Sequence, residues 1–225
     1  MRALVIQHDK DGPAGHVSDW LRERGAEQDV YRIAADDRER DPRDYDLVVS
    51  LGSAHSAYDD AIPWLALERR LLADAAEADV AVLGICFGSQ LLARALGGEA
   101  MPAAHTEIGW VTIDTREPSL VDAGPWMQWH HDTFTLPAGA VLLAESPAGP
   151  QAFTLGRSLG VQFHPEVTPE IVGWWVDAGR AQLARAGLDP ESVLADTRER
   201  SGENRLRAWR LLDTFMDRLA GVGAA

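Results

Sequence analysis

Val80-Ala-Val-Leu-Gly-Ile-Cys86-Phe-Gly88-Ser-Gln90-Leu-Leu-Ala-Arg-Ala-Leu-Gly97-Gly98 is the stretch from which the fold can be read. It opens with a continuous apolar run, as expected of a strand buried on both faces. A helix begins immediately after Cys86 and ends at the glycine pair. Gly84 and Gly88 flank Cys86 two residues to either side, the arrangement of a G-x-S-x-G elbow with sulfur in place of oxygen. A sharp strand-to-helix turn strains its central residue, and neighbours without Cβ avoid the clash. The thiol then lies at a helix N-terminus, whose partial positive charge favours thiolate. Free cysteine, with a pKa of about 8.5, is only about 3% thiolate at neutral pH, so this activation matters. A cysteine in an arbitrary strand is usually inert and buried; the flanking glycines and the strand–turn–helix context favour a nucleophile.

Working outward, short β-branched runs alternate with longer helical patterns through the first half, which predicts a parallel sheet with helices on its faces. Residues 3–7, 28–33 and 46–51 read as strands. A helix runs through Val17, Trp20 and Leu21 to a stop at Gly25. Pro63 suits a helix start, with Trp64, Leu67, Leu71, Leu72 and Ala75 following at helical spacing. Shorter strands are expected at 108–114, 140–145, 151–155 and 159–163. From Thr168 the chain reads as helix, with Leu206, Trp209, Leu212, Met216 and Leu219 marking a face that packs on the sheet. Trp174 and Trp175 are expected in the core rather than at a partner surface. The charged run from Asp36 to Asp41 reads as a solvated loop. The expectation is a single domain over residues 1–225, with a core of about 1–166 and a helical extension of about 168–220.

Composition narrows the chemistry. The 225 residues carry 35 Asp plus Glu against 21 Lys plus Arg, a net charge of −14. That balance repels phosphate backbones and anionic membranes, so neither nucleic acid nor a membrane is expected as a partner. The first residues turn polar too soon for a secretory leader, which favours the cytoplasm. One cysteine excludes an intrachain disulfide and a multi-thiolate zinc site. One lysine, Lys10, makes Schiff-base chemistry improbable, and no cofactor is expected.

A thiol nucleophile needs a base, and the chain offers seven histidines. His164 stands at the end of an apolar strand in Gly160-Val-Gln-Phe-His164-Pro-Glu166. Residues i and i+2 of an extended chain project to the same side, so Glu166 can fix the imidazole tautomer, the orienting role of a triad acid. A lone His-x-Glu is weak evidence by itself; its weight comes from the Cys86 elbow.

The segment Gly84-Ile-Cys86-Phe-Gly88-Ser-Gln90 together with His164-Pro-Glu166 resembles the class I, triad-type glutamine amidotransferase family. Trp129-His130-His131-Asp132-Thr133-Phe134 further resembles a W-H-x-D-T-F segment of stand-alone domains similar to the glutaminase part of GMP synthetase. The resemblance covers roughly residues 1–166. It implies a flavodoxin-like three-layer α/β sandwich with a mainly parallel central sheet, extra short antiparallel strands and C-terminal helices. It also implies that Cys86 forms a γ-glutamyl thioester, His164 shuttles the proton and Glu166 orients His164. By the same resemblance, the backbone N–H groups of Phe87 and Ser53 form the oxyanion hole, and Gly52, Gln90, His130, His131 and Asp132 contact the substrate. The family's oxyanion loop usually reads Gly-Gly-Pro, whereas here it is Gly52-Ser53-Ala54, so either a positive φ at Ser53 costs about 1–2 kcal/mol or the loop rests in an inactive form until substrate binds. A metal held by His130, His131 and Asp132 is disfavoured, because adjacent side chains of an extended segment point to opposite faces. Glu107-Ile-Gly109-Trp110 resembles a family segment that opens the later strands and is read as loop packing, outside catalysis.

Three functions follow. The first is an amidotransferase subunit that hydrolyses glutamine and passes ammonia to a separate synthetase. The second is a stand-alone γ-glutamyl peptide or amine hydrolase, which differs only in its leaving group. The third is a non-catalytic binding protein on the same fold, for which a full set of Cys86, His164 and Glu166 would be needless.

Overall fold

The computed structural model describes residues 1–36 and 38–219. Asp37 of the charged run and the expected end of the helical extension at Ala220 lie outside the described residues. The strands are β1 (Arg2–Gln7), β2 (Glu27–Arg32), β3 (Leu47–Ser50), β4 (Ala81–Ile85), β5 (Ala100–Val111), β6 (Asp114–Thr115), β7 (Trp126–Phe134), β8 (Val141–Ser146), β9 (Gly149–Leu155) and β10 (Ser158–Val161). The helices are α1 (Gly15–Glu23), α2 (Leu65–Glu77), α3 (Phe87–Ala95), α4 (Pro169–Ala178), α5 (Arg180–Ala186) and α6 (Pro190–Arg218).

The main sheet has the order β2-β1-β3-β4-β10-β9-β8-β6. Strands β2, β1, β3, β4 and β10 are mutually parallel, and β9, β8 and β6 continue antiparallel. The central strands bury alternate residues on opposite faces, as the period of an extended chain requires. Ala3, Val5, Leu83 and Val161 pack with Trp20 of α1 and Leu212 and Phe215 of α6. Leu4, Ile6, Val48 and Val82 face Leu72 of α2 and Leu91 of α3. The result is the expected sandwich of helices, mixed sheet and helices.

Several local expectations need correction. The segment around His130, to which the sequence reading assigns no strand, is the strand β7, which pairs antiparallel with β5 in a second, two-stranded sheet. The strand expected at 108–114 is divided between the end of β5 and the start of β6. Pro63 precedes the α2 cap, Trp64, and is not in the first turn. Leu206 is 64% exposed, because the buried face of α6 runs instead through Asn204, Arg207, Ala208, Leu211 and Phe215. The charged run is anchored as well as solvated: Arg40 bonds Asp29 and lies over the Tyr31 ring. No helix among the described residues is long and apolar enough to cross a membrane.

Strand pairing positions the site. β4 and β10 are neighbours in register, with Gly84 opposite Gly160 and Ile85 opposite Val161. The residues that follow them, Cys86 and the stretch to His164, therefore emerge together at the carboxyl edge of the sheet. The loops after β1 and β3 open at the same edge, where open α/β sheets place their ligands.

Candidate active site

Cys86 is the N-cap of α3, with φ 52° and ψ −109°. Only Asp79 shares a positive φ among the described non-glycine residues. The strain is held by steric necessity around it. A Cβ on Gly84 would meet the Gly88 carbonyl oxygen at 2.6 Å, and one on Gly88 would meet the Ser50 carbonyl oxygen at 2.1 Å. The Cys86 N–H donates to the Val161 carbonyl at 2.8 Å, and its own carbonyl accepts from the Ser89 hydroxyl at 2.8 Å. Phe87 is the first residue of α3, so its N–H is one of the four helix-start donors without an intrahelical acceptor.

His164 is 3% exposed, and its Nδ1 lies 2.7 Å from Glu166 Oε1, itself 3% exposed. The i, i+2 geometry thus pairs the two side chains. Nε2 is buried with no hydrogen-bond partner among the described residues. Burial opposes a charge on the ring, but the Glu166 carboxylate and Cys86 outweigh it and raise the His164 pKa to about 10. The Cys86 elbow and the buried His164–Glu166 pair thus stand at the same edge of the sheet. A Cβ built on Gly52 would stand 3.1 Å from His164 Cε1 and 3.8 Å from Cys86 Cβ, so the loop after β3 closes over both.

That loop is held by the residues after β1. Asp9 Oδ2 accepts from the Ala54 N–H at 2.9 Å and from the Ser53 hydroxyl at 3.1 Å. Ser53 does not have a positive φ, so the strain expected from losing the family's second glycine is absent. Gln90, 2% exposed, donates to the Asp132 carbonyl and to Gln162 Oε1, tying α3 to β7 and to the residue after β10. His130 is buried between the Asp132 carbonyl and Glu107, while His131 is exposed and meets Thr106. Asp132 accepts from Ser56 and Tyr58. Glu107, read from sequence as loop packing, also accepts from Gln151. Burial works against its charge, yet its hydrogen bonds and His130 hold its pKa below the usual carboxylate value. Among the described residues no cluster of three or more His, Cys, Asp or Glu is placed to hold a metal ion.

Cys86, Phe87, Gly52, Ser53, Gln90, His130, His131, Asp132, His164 and Glu166 all line one cavity of about 550 Å³. Its described lining carries Asp9, Asp11, Asp132 and Glu166 but no lysine or arginine. Sequence reasoning missed its far wall. Trp175 packs against the core cluster of Met127, Ile171 and Val176 as expected, but it also meets the His164 ring edge-on at 4.7 Å, packs against Trp129, and donates to the Asp11 carbonyl at 2.8 Å. Trp174 beside it is 40% exposed. The paired tryptophans were a visible signal, but nothing local says that one faces a histidine distant in sequence. Asn204 of α6 donates to the Val167 carbonyl at 3.2 Å and fixes the backbone just past Glu166.

The chain is similar in sequence and fold to known proteins. The family profile described as "Glutamine amidotransferase class-I" matches residues 15–173. A GMP synthase (glutamine-hydrolyzing) of Thermus thermophilus is 37% identical over 140 residues, which is 56% of this chain and 28% of the relative. One from Bordetella avium is 33% identical over 174 residues, 68% of this chain and 32% of the relative. The chain thus spans about a third or less of these relatives' length. A crystal structure titled as a glutamine amidotransferase of Thermotoga maritima superimposes with TM-score 0.87 at 29% identity, covering 96% of this chain and 98% of that one. Another, from Methylobacillus flagellatus, gives TM-score 0.88 at 28% identity over 97% and 95%.

Proposed function

This chain belongs to the class-I glutamine amidotransferase family, and from that premise we propose that it cleaves the γ-carboxamide of glutamine through a γ-glutamyl thioester on Cys86. The family reaction is glutamine-amidotransferase-type hydrolysis by a cysteine nucleophile. The observation that carries the assignment to these residues is the strained Cys86 elbow beside a buried His164 whose Nδ1 is bonded to Glu166.

In the first step the Cys86 thiolate attacks the amide carbon, and the oxygen takes up negative charge. The Phe87 and Ser53 N–H groups receive that oxyanion; one such donor is worth about 10²–10³ in rate. The carbon–nitrogen bond then breaks, and the His164 imidazolium gives its proton to the leaving ammonia. Water attacks the thioester, His164 takes its proton, and glutamate leaves as the thiolate re-forms. Glu166 keeps the ring in the required tautomer throughout. Gly52, Gln90, His130, His131 and Asp132 orient the substrate around the thiol. The ammonia passes to a separate synthetase, in keeping with the GMP synthases that the chain resembles over part of their length.

The size of the cavity favours a second reading, in which a γ-glutamyl peptide or amine is hydrolysed without a partner. A volume of about 550 Å³ with tryptophan walls accommodates a leaving group larger than ammonia. One panel separates the readings: ammonia release from glutamine and amine release from γ-glutamyl conjugates, for wild type and Cys86→Ala. Slow turnover of glutamine alone supports the subunit, and fast turnover of a conjugate supports the hydrolase. Turnover that survives in Cys86→Ala overturns both.

A further inference from the structure

The His8 side chain is fully buried behind the loop after β3 and does not line the cavity. Its Nδ1 lies 3.1 Å from the Gly52 carbonyl oxygen, and its Nε2 lies 2.8 Å from Glu68 Oε2. The Gly52 carbonyl and a Glu68 carboxylate both accept hydrogen bonds, so the two contacts suit a ring with a proton on each nitrogen. Glu68 is likewise fully buried, and its other oxygen accepts from the Ser50 hydroxyl at 2.7 Å. Trp64 stacks on the His8 ring at 4.9 Å and Phe87 meets it edge-on at 4.8 Å, which fixes its plane.

A trans peptide directs its C=O and N–H to opposite sides. The Gly52 carbonyl points back to His8, so the Ser53 N–H of the same peptide points the other way. Asp9 occupies the Ala54 N–H and the Ser53 hydroxyl, while the Ser53 N–H donates no hydrogen bond among the described residues. We propose that His8, bridged to Glu68, is a positioning residue that locks the Gly52–Ser53 peptide with its N–H turned toward the thiol as an oxyanion donor. This rests on the reading of Ser53 given above. It supplies the rigidity that the family's Gly-Gly-Pro loop would otherwise give to Gly52-Ser53-Ala54. Burial disfavours the charged ring, but Glu68 and the Gly52 carbonyl outweigh it and raise the His8 pKa, consistent with the doubly bonded ring.

The test compares wild type with His8→Gln, Glu68→Gln and the double variant, which removes both buried charges together. Glutamine hydrolysis is measured beside the rate of Cys86 alkylation by iodoacetamide, a displacement that forms no oxyanion. The expected result is a kcat lower by about 10- to 100-fold in His8→Gln, with KM and the alkylation rate nearly unchanged. Glu68→Gln shows a smaller loss of the same kind. A folded double variant with wild-type kcat overturns the proposal. So does an alkylation rate that falls in step with kcat, since His8 would then act on the thiol. A crystal structure of the double variant decides the matter without turnover: a rotated Gly52–Ser53 peptide supports the proposal and an unchanged one overturns it. Wild type inert toward every γ-glutamyl compound would instead sink the functional reading alone.

Discussion

Replacing Glu166 by glutamine removes one negative charge while keeping size and shape. In the native site the carboxylate accepts from His164 Nδ1 at 2.7 Å, with both side chains 4% exposed, so water screens the contact little. Burial lowers the His164 pKa, but the Glu166 carboxylate and Cys86 outweigh it and raise it from 6.5 to about 10. A glutamine side chain can donate to Nδ1 and so stabilise the tautomer with its proton on Nε2, which cannot accept one from the thiol. The same exchange of carboxylate for amide in a serine triad lowers kcat by about 10⁴. For Glu166→Gln we expect kcat for glutamine hydrolysis to fall by about 10³–10⁴, with circular dichroism unchanged. The pH profile of kcat/KM should shift as well. Burial, which lowers the His164 pKa, then acts with only Cys86 to oppose it, so the alkaline limb moves down from about pH 10. A variant with kcat within about tenfold of wild type and an unmoved alkaline limb would refute the orienting role of Glu166.

Other expectations follow from single contacts. Gly88→Ala would set a methyl 2.1 Å from the Ser50 carbonyl oxygen, so thermal unfolding should reveal a loss of about 1–3 kcal/mol; an unchanged melting temperature would contradict the packing of the elbow. Trp175→Ala removes the edge contact with His164 and should lower kcat/KM about 3- to 10-fold, whereas wild-type kinetics would make that wall irrelevant. The His8–Glu68 pair should stabilise the fold most below pH 6.5, because the folded-state pKa of His8 is raised: burial lowers it, but Glu68, the Gly52 carbonyl and Asp9 outweigh that. Urea unfolding of wild type and His8→Gln should therefore show a stability gap that shrinks as pH rises through the His8 pKa. A gap that widens with pH would contradict the charged state of the ring.

The elbow was legible in sequence because its constraints are local: an apolar strand, two glycines and a helix leave Cys86 one conformation. The match of His164 to Cys86 was legible only through the motif pair, since the β4–β10 pairing that joins them is a long-range contact. Elsewhere, polar residues in buried places misled pattern reading. Leu206 carries the right spacing for α6, but the buried face is shifted toward Asn204 and Arg207. Those two are tolerated inside because Asn204 donates to the Val167 carbonyl and Arg207 pairs with Asp122 and Glu203. In the same way, the buried Glu68 on α2 carries no sign in sequence that it meets His8. β7 escaped because its buried residues do not alternate strictly along the strand.

The most direct test of acyl chemistry at the sulfur is to trap it with a glutamine-like diazoketone and map the modified residue by mass spectrometry. One adduct per chain, on Cys86, protected by glutamine and lost in Cys86→Ala, is the result expected. Folded protein that stays unlabelled, or that carries the adduct on another residue, would contradict it.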